Sequence, residues 1–183
     1  MLEKIRAQWT KVIHPFALGL LKLGVTPDMV TWTGTIATII VALVFFPQGW
    51  LWQGVAVLAL FIFSDSLDGT MARESGSSSK WGAFLDSTLD RLADGAIFGG
   101  IAIYYAAQPD GLLWCAVAIG ALVFALVTSY SKARGESVGI EVHAGFAGRA
   151  ARLLVGVLGV LLTGIGLTWA LPVALSYLCL AGA

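Results

Sequence analysis

Six apolar runs divide this chain, at roughly 27–46, 50–71, 84–107, 112–131, 147–164 and 167–183. Each comes close to the roughly 20 residues with which a helix crosses a bilayer. In hydrocarbon no water bonds the backbone, so every N–H and C=O must be satisfied within the segment, and such runs form helices. The breaks between them are turn formers: Pro47-Gln48-Gly49, Glu74–Lys80, Pro109-Asp110-Gly111, Gly135–Gly145 and Gly164–Gly166. Of 183 residues, 58% are hydrophobic and 12% charged, against about 25% charged in a soluble domain. The expected fold class is an all-α integral membrane protein: six transmembrane helices plus an N-terminal amphipathic interfacial helix, in one domain spanning 1–183. The last run is shorter than a bilayer demands, and the final helix is expected to be cut short at Ala183.

Net charge is zero, so partners must be read from placement. Lys4, Arg6, Lys11 and Lys22 precede the first run. Arg73, Lys80 and Arg91 flank the second connection, and Lys132, Arg134, Arg149 and Arg152 flank the fourth. These account for every Lys and Arg in the chain, and the odd-numbered connections carry none. The alternation puts the N-terminus and the even-numbered connections in the cytoplasm of a cell (plasma) membrane protein. Residues 2–22 read as a helix lying on the lipid surface, bent at Pro15, with Trp9, Ile13, Phe16 and Leu20 on one apolar face. Cys115 and Cys179 lie in apolar runs and read as buried thiols. No cleavable signal peptide and no nucleic-acid partner are expected.

Four aspartates break the second and third runs. Asp65 and Asp68 are spaced i,i+3, and Asp86 and Asp90 i,i+4, so each pair shares one helical face. A carboxylate at membrane depth costs about 2.5–3.5 kcal/mol on the insertion scale, and a bound cation offsets that. Oxygen-only donors suit Mg²⁺ or Mn²⁺ over zinc, and four carboxylates can hold two ions about 3.5–4 Å apart. Gly69 and Gly82 would let a phosphate-bearing ligand approach the backbone, and Arg73 sits one turn beyond Gly69 as a diphosphate clamp. The plainer reading has the aspartates paired with Arg73 and Arg91 as interfacial salt bridges. Asp94 has no motif role.

Written out, the stretch is Asp65-x-x-Asp68-Gly69-x-x-Ala72-Arg73, eight residues, then Gly82-x-x-x-Asp86-x-x-x-Asp90. It resembles, at every fixed position, the signature of the CDP-alcohol phosphatidyltransferases. The resemblance implies transfer of a phosphatidyl group from a CDP-linked lipid to an alcohol, with release of CMP. It implies that Asp65, Asp68, Asp86 and Asp90 ligate metal, and that Asp90 is also the general base on the acceptor hydroxyl. Gly69, Ala72 and Arg73 would contact the nucleotide and diphosphate. Thr26-Pro27-Asp28-Met29-Val30-Thr31 is similar to the family's short motif at the start of the first span, which implies that Asp28, Met29, Val30 and Thr31 line the cytidine pocket. Pro27 after Thr26 is equally an ordinary helix start. Ser79 is a further candidate for the nucleotide.

A basic cluster of Lys132, Arg149 and Arg152 suggests an anionic acceptor such as a phosphate monoester, although the positive-inside rule would place bases there regardless. The stretches GLLKLGVTPDMVT, FSDSLDGTMARE and SYSKARGES are most similar to family members that join CDP-diacylglycerol to inositol 1-phosphate. That likeness implies phosphatidylinositol phosphate as product, Lys132, Arg149 and Arg152 as the acceptor-phosphate pocket, and a homodimer in the lipid bilayer. Two alternatives stay open. One is a sister enzyme using glycerol 3-phosphate. The other is a divalent-cation transporter, which would instead want its acids at midplane on several helices.

Overall fold

The computed structural model describes residues 2–77, 79–141 and 149–182, with the side chains of 2–11, 62–65, 149, 150 and 182 outside that description. Among the described residues the chain is all helical: α1 (Leu2–Lys22), α2 (Pro27–Phe45), α3 (Leu51–Glu74), α4 (Lys80–Ala106), α5 (Leu112–Ser137), α6 (Arg149–Gly164) and α7 (Ala170–Gly182). Three of these, α2, α3 and α5, are long and apolar enough to cross a membrane. The expected six-span count is therefore met in part by length and composition. At 27 residues α4 is long enough, but it carries the charged residues Asp86, Asp90, Arg91 and Asp94. Helices α6 and α7 have 16 and 13 residues, about 24 and 20 Å at a 1.5 Å rise, short of a hydrocarbon core of about 30 Å.

The helix ends follow local chemistry. Thr26 caps α2: its Oγ1 accepts the Met29 N–H at 3.3 Å, and its carbonyl accepts the Met29 and Val30 N–H groups. Ser79 caps α4 in the same way. Its Oγ accepts from Gly82 N–H at 3.0 Å and its carbonyl accepts from Ala83 N–H, so α4 begins at Lys80 rather than near residue 84. Helix α5 runs to Ser137, beyond the apolar run that ends near 131. Lys132 lies 3.9 Å from Glu136 one turn on, and Gly139, at φ +80°, supplies the left-handed residue that ends it. The break thus falls inside the expected stretch Gly135–Gly145, two residues past its first glycine.

The chain forms two compact units. The first comprises residues 1–38 and 58–93, the second 39–57 and 94–183. In the first, Ile13 and Ala17 of α1, Leu58 and Met71 of α3, and Leu85 and Leu89 of α4 are buried. Helix α1 runs unbroken through Pro15. Its buried stripe is Ile13 and Ala17, whereas Phe16 is exposed. His14 Nε2 lies 3.3 Å from Glu74 Oε1, linking α1 to the end of α3.

The second unit holds α5, α6 and α7 packed together with parts of α2, α3 and α4. Glycines permit the closest approaches. A Cβ on Gly159 would meet Ala174 Cβ at 2.7 Å, and one on Gly164 would meet the Trp52 backbone nitrogen at 2.5 Å. At Gly100 a Cβ would run into the Ala42 carbonyl, while at Gly99 there is open space. Gly100→Ala is therefore expected to destabilise by about 1–3 kcal/mol, the usual overpacking cost. Gly99→Ala should leave thermal unfolding in detergent unharmed. Equal melting temperatures for the two variants would refute this packing. Between α6 and α7, the buried Thr163 hydroxyl donates to Leu167 C=O at 3.3 Å and accepts the Leu171 N–H at 3.1 Å.

Candidate active site

The first unit contains every residue expected to meet metal or nucleotide. Asp68 is its best-defined carboxylate, only 7% exposed. Each of its oxygens takes a donor. Thr31 Oγ1, from α2, donates to Oδ2 at 2.6 Å, and the Gly69 N–H donates to Oδ1 at 2.5 Å. The Thr31 hydroxyl has a second acceptor within reach, Pro27 C=O at 3.1 Å. It has one proton, and the shorter contact falls in the range of charge-assisted O–H···O⁻ bonds.

Arg73 lies back along its own helix. Its Nη2 donates to Thr70 Oγ1 at 3.1 Å, and its Nη1 is 3.7 Å from where a Gly69 Cβ would stand. Gly69 thus leaves room beside the guanidinium. Thr70 itself is buried and donates to Ser66 C=O at 2.7 Å. Ala72 is half-buried on the same turn of helix. In the first turn of α2, Asp28 and Val30 are half-buried and Met29 is exposed. Ser79 caps α4, its Oγ accepting the Gly82 N–H.

On α4, Asp86 is exposed and Asp90 is half-buried. Asp90 Oδ2 lies 3.8 Å from Arg91 Nη2, inside ion-pair range but beyond a hydrogen bond. Asp65 lies on α3, with its side chain outside the described residues. Among the described residues no three of His, Cys, Asp and Glu group closely enough to hold a metal. Asp68, Asp86 and Asp90 alone therefore make no closed cage. The donor chemistry still fits a hard divalent cation, because the signature acids offer only oxygen and Asp68 is buried as an oriented carboxylate.

In the second unit, Arg152 of α6 is 5% exposed, and its Nη2 reaches Ser129 Oγ of α5 at 3.4 Å. Lys132 is exposed and faces Glu136. The side chain of Arg149 lies outside the described residues. Asp94 is wholly buried at 1% exposure. Three partners escaped the reading from sequence: Thr31 for Asp68, Thr70 for Arg73, and Ser129 for Arg152. Only Thr70 had a signal in spacing, three residues before Arg73 on one helical face.

A family model described as CDP-alcohol phosphatidyltransferase matches residues 24–180. The chain belongs to the CDP-alcohol phosphatidyltransferase family. It is 54% identical to a phosphatidylinositol phosphate synthase of Cutibacterium acnes, over 100% of this chain and 92% of that one. A crystal structure of Mycobacterium tuberculosis phosphatidylinositol phosphate synthase with CDP-DAG bound superposes with a TM-score of 0.90. It is 38% identical and covers 94% of this chain and 88% of that one. A second crystal structure of the M. tuberculosis enzyme, in complex with manganese and citrate, has a TM-score of 0.89 at 38% identity. It covers 93% of this chain and 83% of that one. Residues 65–90 and the first turn of α2 both lie inside the matched segment. This CDP-alcohol phosphatidyltransferase is thus an all-helical membrane enzyme whose signature occupies α3 and α4.

Proposed function

We propose that this phosphatidyltransferase moves the phosphatidyl group of CDP-diacylglycerol onto the hydroxyl of inositol 1-phosphate, giving phosphatidylinositol phosphate and CMP. The observation that carries the reading is the 54% identity, along the whole chain, to a phosphatidylinositol phosphate synthase. Asp28, Met29, Val30 and Thr31 line the cytidine, and Gly69, Ala72 and Arg73 meet the diphosphate. Ser79 holds the start of α4 and reaches the nucleotide from there. Asp65, Asp68, Asp86 and Asp90 hold divalent metal, two Mg²⁺ ions in the working enzyme. When bound, the metal neutralises the diphosphate and stabilises the leaving CMP. Asp90 takes the proton of the acceptor hydroxyl, whose oxygen then attacks the phosphatidyl phosphorus as the bond to CMP breaks. Lys132, Arg149 and Arg152 bind the acceptor phosphate.

The same reading makes residues 1–183 a single domain of the inner (plasma) membrane, with six spans and α1 on the lipid surface. The N-terminus and active site face the cytoplasm, and the enzyme works as a homodimer. The charge alternation and the apolar runs support the span count and the orientation.

Acceptor competition tests the reaction. Purified enzyme given labelled CDP-diacylglycerol with inositol 1-phosphate and glycerol 3-phosphate should make only the inositol lipid. Exclusive use of glycerol 3-phosphate would end the proposal in favour of the sister activity. Metal flux into proteoliposomes without CMP release would end it in favour of transport. Arg152→Ala should raise the KM for inositol 1-phosphate by about 10- to 150-fold and leave the KM for CDP-diacylglycerol unchanged. That range corresponds to the roughly 1.5–3 kcal/mol of hydrogen bonds to a charged group.

A further inference from the structure

We infer that Thr31 is a positioning residue for the metal site, acting through the carboxylate of Asp68. The inference rests on the metal-binding role proposed above for Asp68, and it gives Thr31 a task separate from lining the cytidine pocket.

The geometry is specific. Thr31 and Asp68 are 37 residues apart, on α2 and α3, and their side chains meet at 2.6 Å. The Thr31 backbone is set by the start of α2, which Thr26 caps. The Asp68 carboxylate is buried and receives the Gly69 N–H on its other oxygen. Two donors from different directions fix both the position and the rotation of the carboxylate plane. A carboxylate has about four lone-pair positions, so a single oxygen can accept a hydrogen bond and still ligate a cation. Outer partners of this kind typically change metal affinity by about 10- to 100-fold when removed.

The test is Mn²⁺ binding to the detergent-solubilised full chain, followed by electron paramagnetic resonance and calorimetry, with no nucleotide or CDP-lipid present. Thr31→Val keeps the shape and removes the donor, and it should weaken Mn²⁺ binding by about tenfold or more. Thr31→Ser should stay close to wild type, and Thr31→Cys, a weak donor, should fall between. If the Val variant fails to fold, the order Thr, Ser, Cys still carries the test. Wild-type affinity in Thr31→Val or Thr31→Cys would overturn the inference, because a residue touching only cytidine has no effect on metal bound alone. Equal damage in Ser and Val variants would also overturn it, since the methyl rather than the hydroxyl would then matter. Absence of Mn²⁺ binding in wild type would sink the metal reading itself, an outcome distinct from any difference among the variants.

Discussion

Asp90→Asn should lower turnover by about 10²–10⁴-fold while CDP-diacylglycerol still binds. The two side chains are nearly the same shape, but the amide cannot take a proton from the acceptor hydroxyl. An alcohol is a poor nucleophile until that proton has a destination. Asp90 is half-buried on α4 with Arg91 3.8 Å away, and its loss removes no packed apolar surface. The damage should therefore appear in the rate and not in expression or melting. CMP release, measured beside calorimetric titration with CDP-diacylglycerol, separates the two effects. Turnover near wild type would refute the base assignment.

Asp68→Asn is expected to fail differently. Asp68 is buried with a donor on each oxygen, and an amide in its place keeps the bond from Thr31 and loses the one from the Gly69 N–H. The fold should survive. A neutral oxygen is a weak ligand for a hard cation, so Mn²⁺ affinity should fall by more than the ~10- to 100-fold typical of outer partners. Activity should fall with it and recover in part at high metal. For Asp90→Asn, added metal should restore little. A wild-type metal titration for Asp68→Asn would show that this carboxylate does not serve the ion.

Much of this was readable from residue order. The six apolar runs locate α2 to α7, and the amphipathic stretch 2–22 locates α1, with the largest miss at the end of α5. The spacing of Asp65, Asp68, Asp86 and Asp90 points to the family, and the family model matches the segment that contains them. Less readable were interactions in which a small hydroxyl serves a distant charge. Ser and Thr also cap helices and bond their own backbone. The short motif marks Thr31 for the nucleotide, but nothing in the order of residues shows that Thr31 reaches Asp68 while Thr33 donates to the Met29 carbonyl at 2.7 Å. Ser79 illustrates a second task that residue order hides: besides the nucleotide contact expected of it, it caps α4. The length of α5 was hidden because the helix continues past its apolar part, where the Lys132–Glu136 pair supports it.

The double use of the Thr163 hydroxyl bears on how the chain reverses between α6 and α7. The buried Leu171 N–H, in the first turn of α7, finds its acceptor there, and the Leu167 carbonyl, which also takes the Ala170 N–H, gains a second donor. One threonine quiets a carbonyl on the outgoing side and an amide on the returning side. The bend between the last two helices is thus held by a side chain of its own, one hydroxyl serving as donor and acceptor at once.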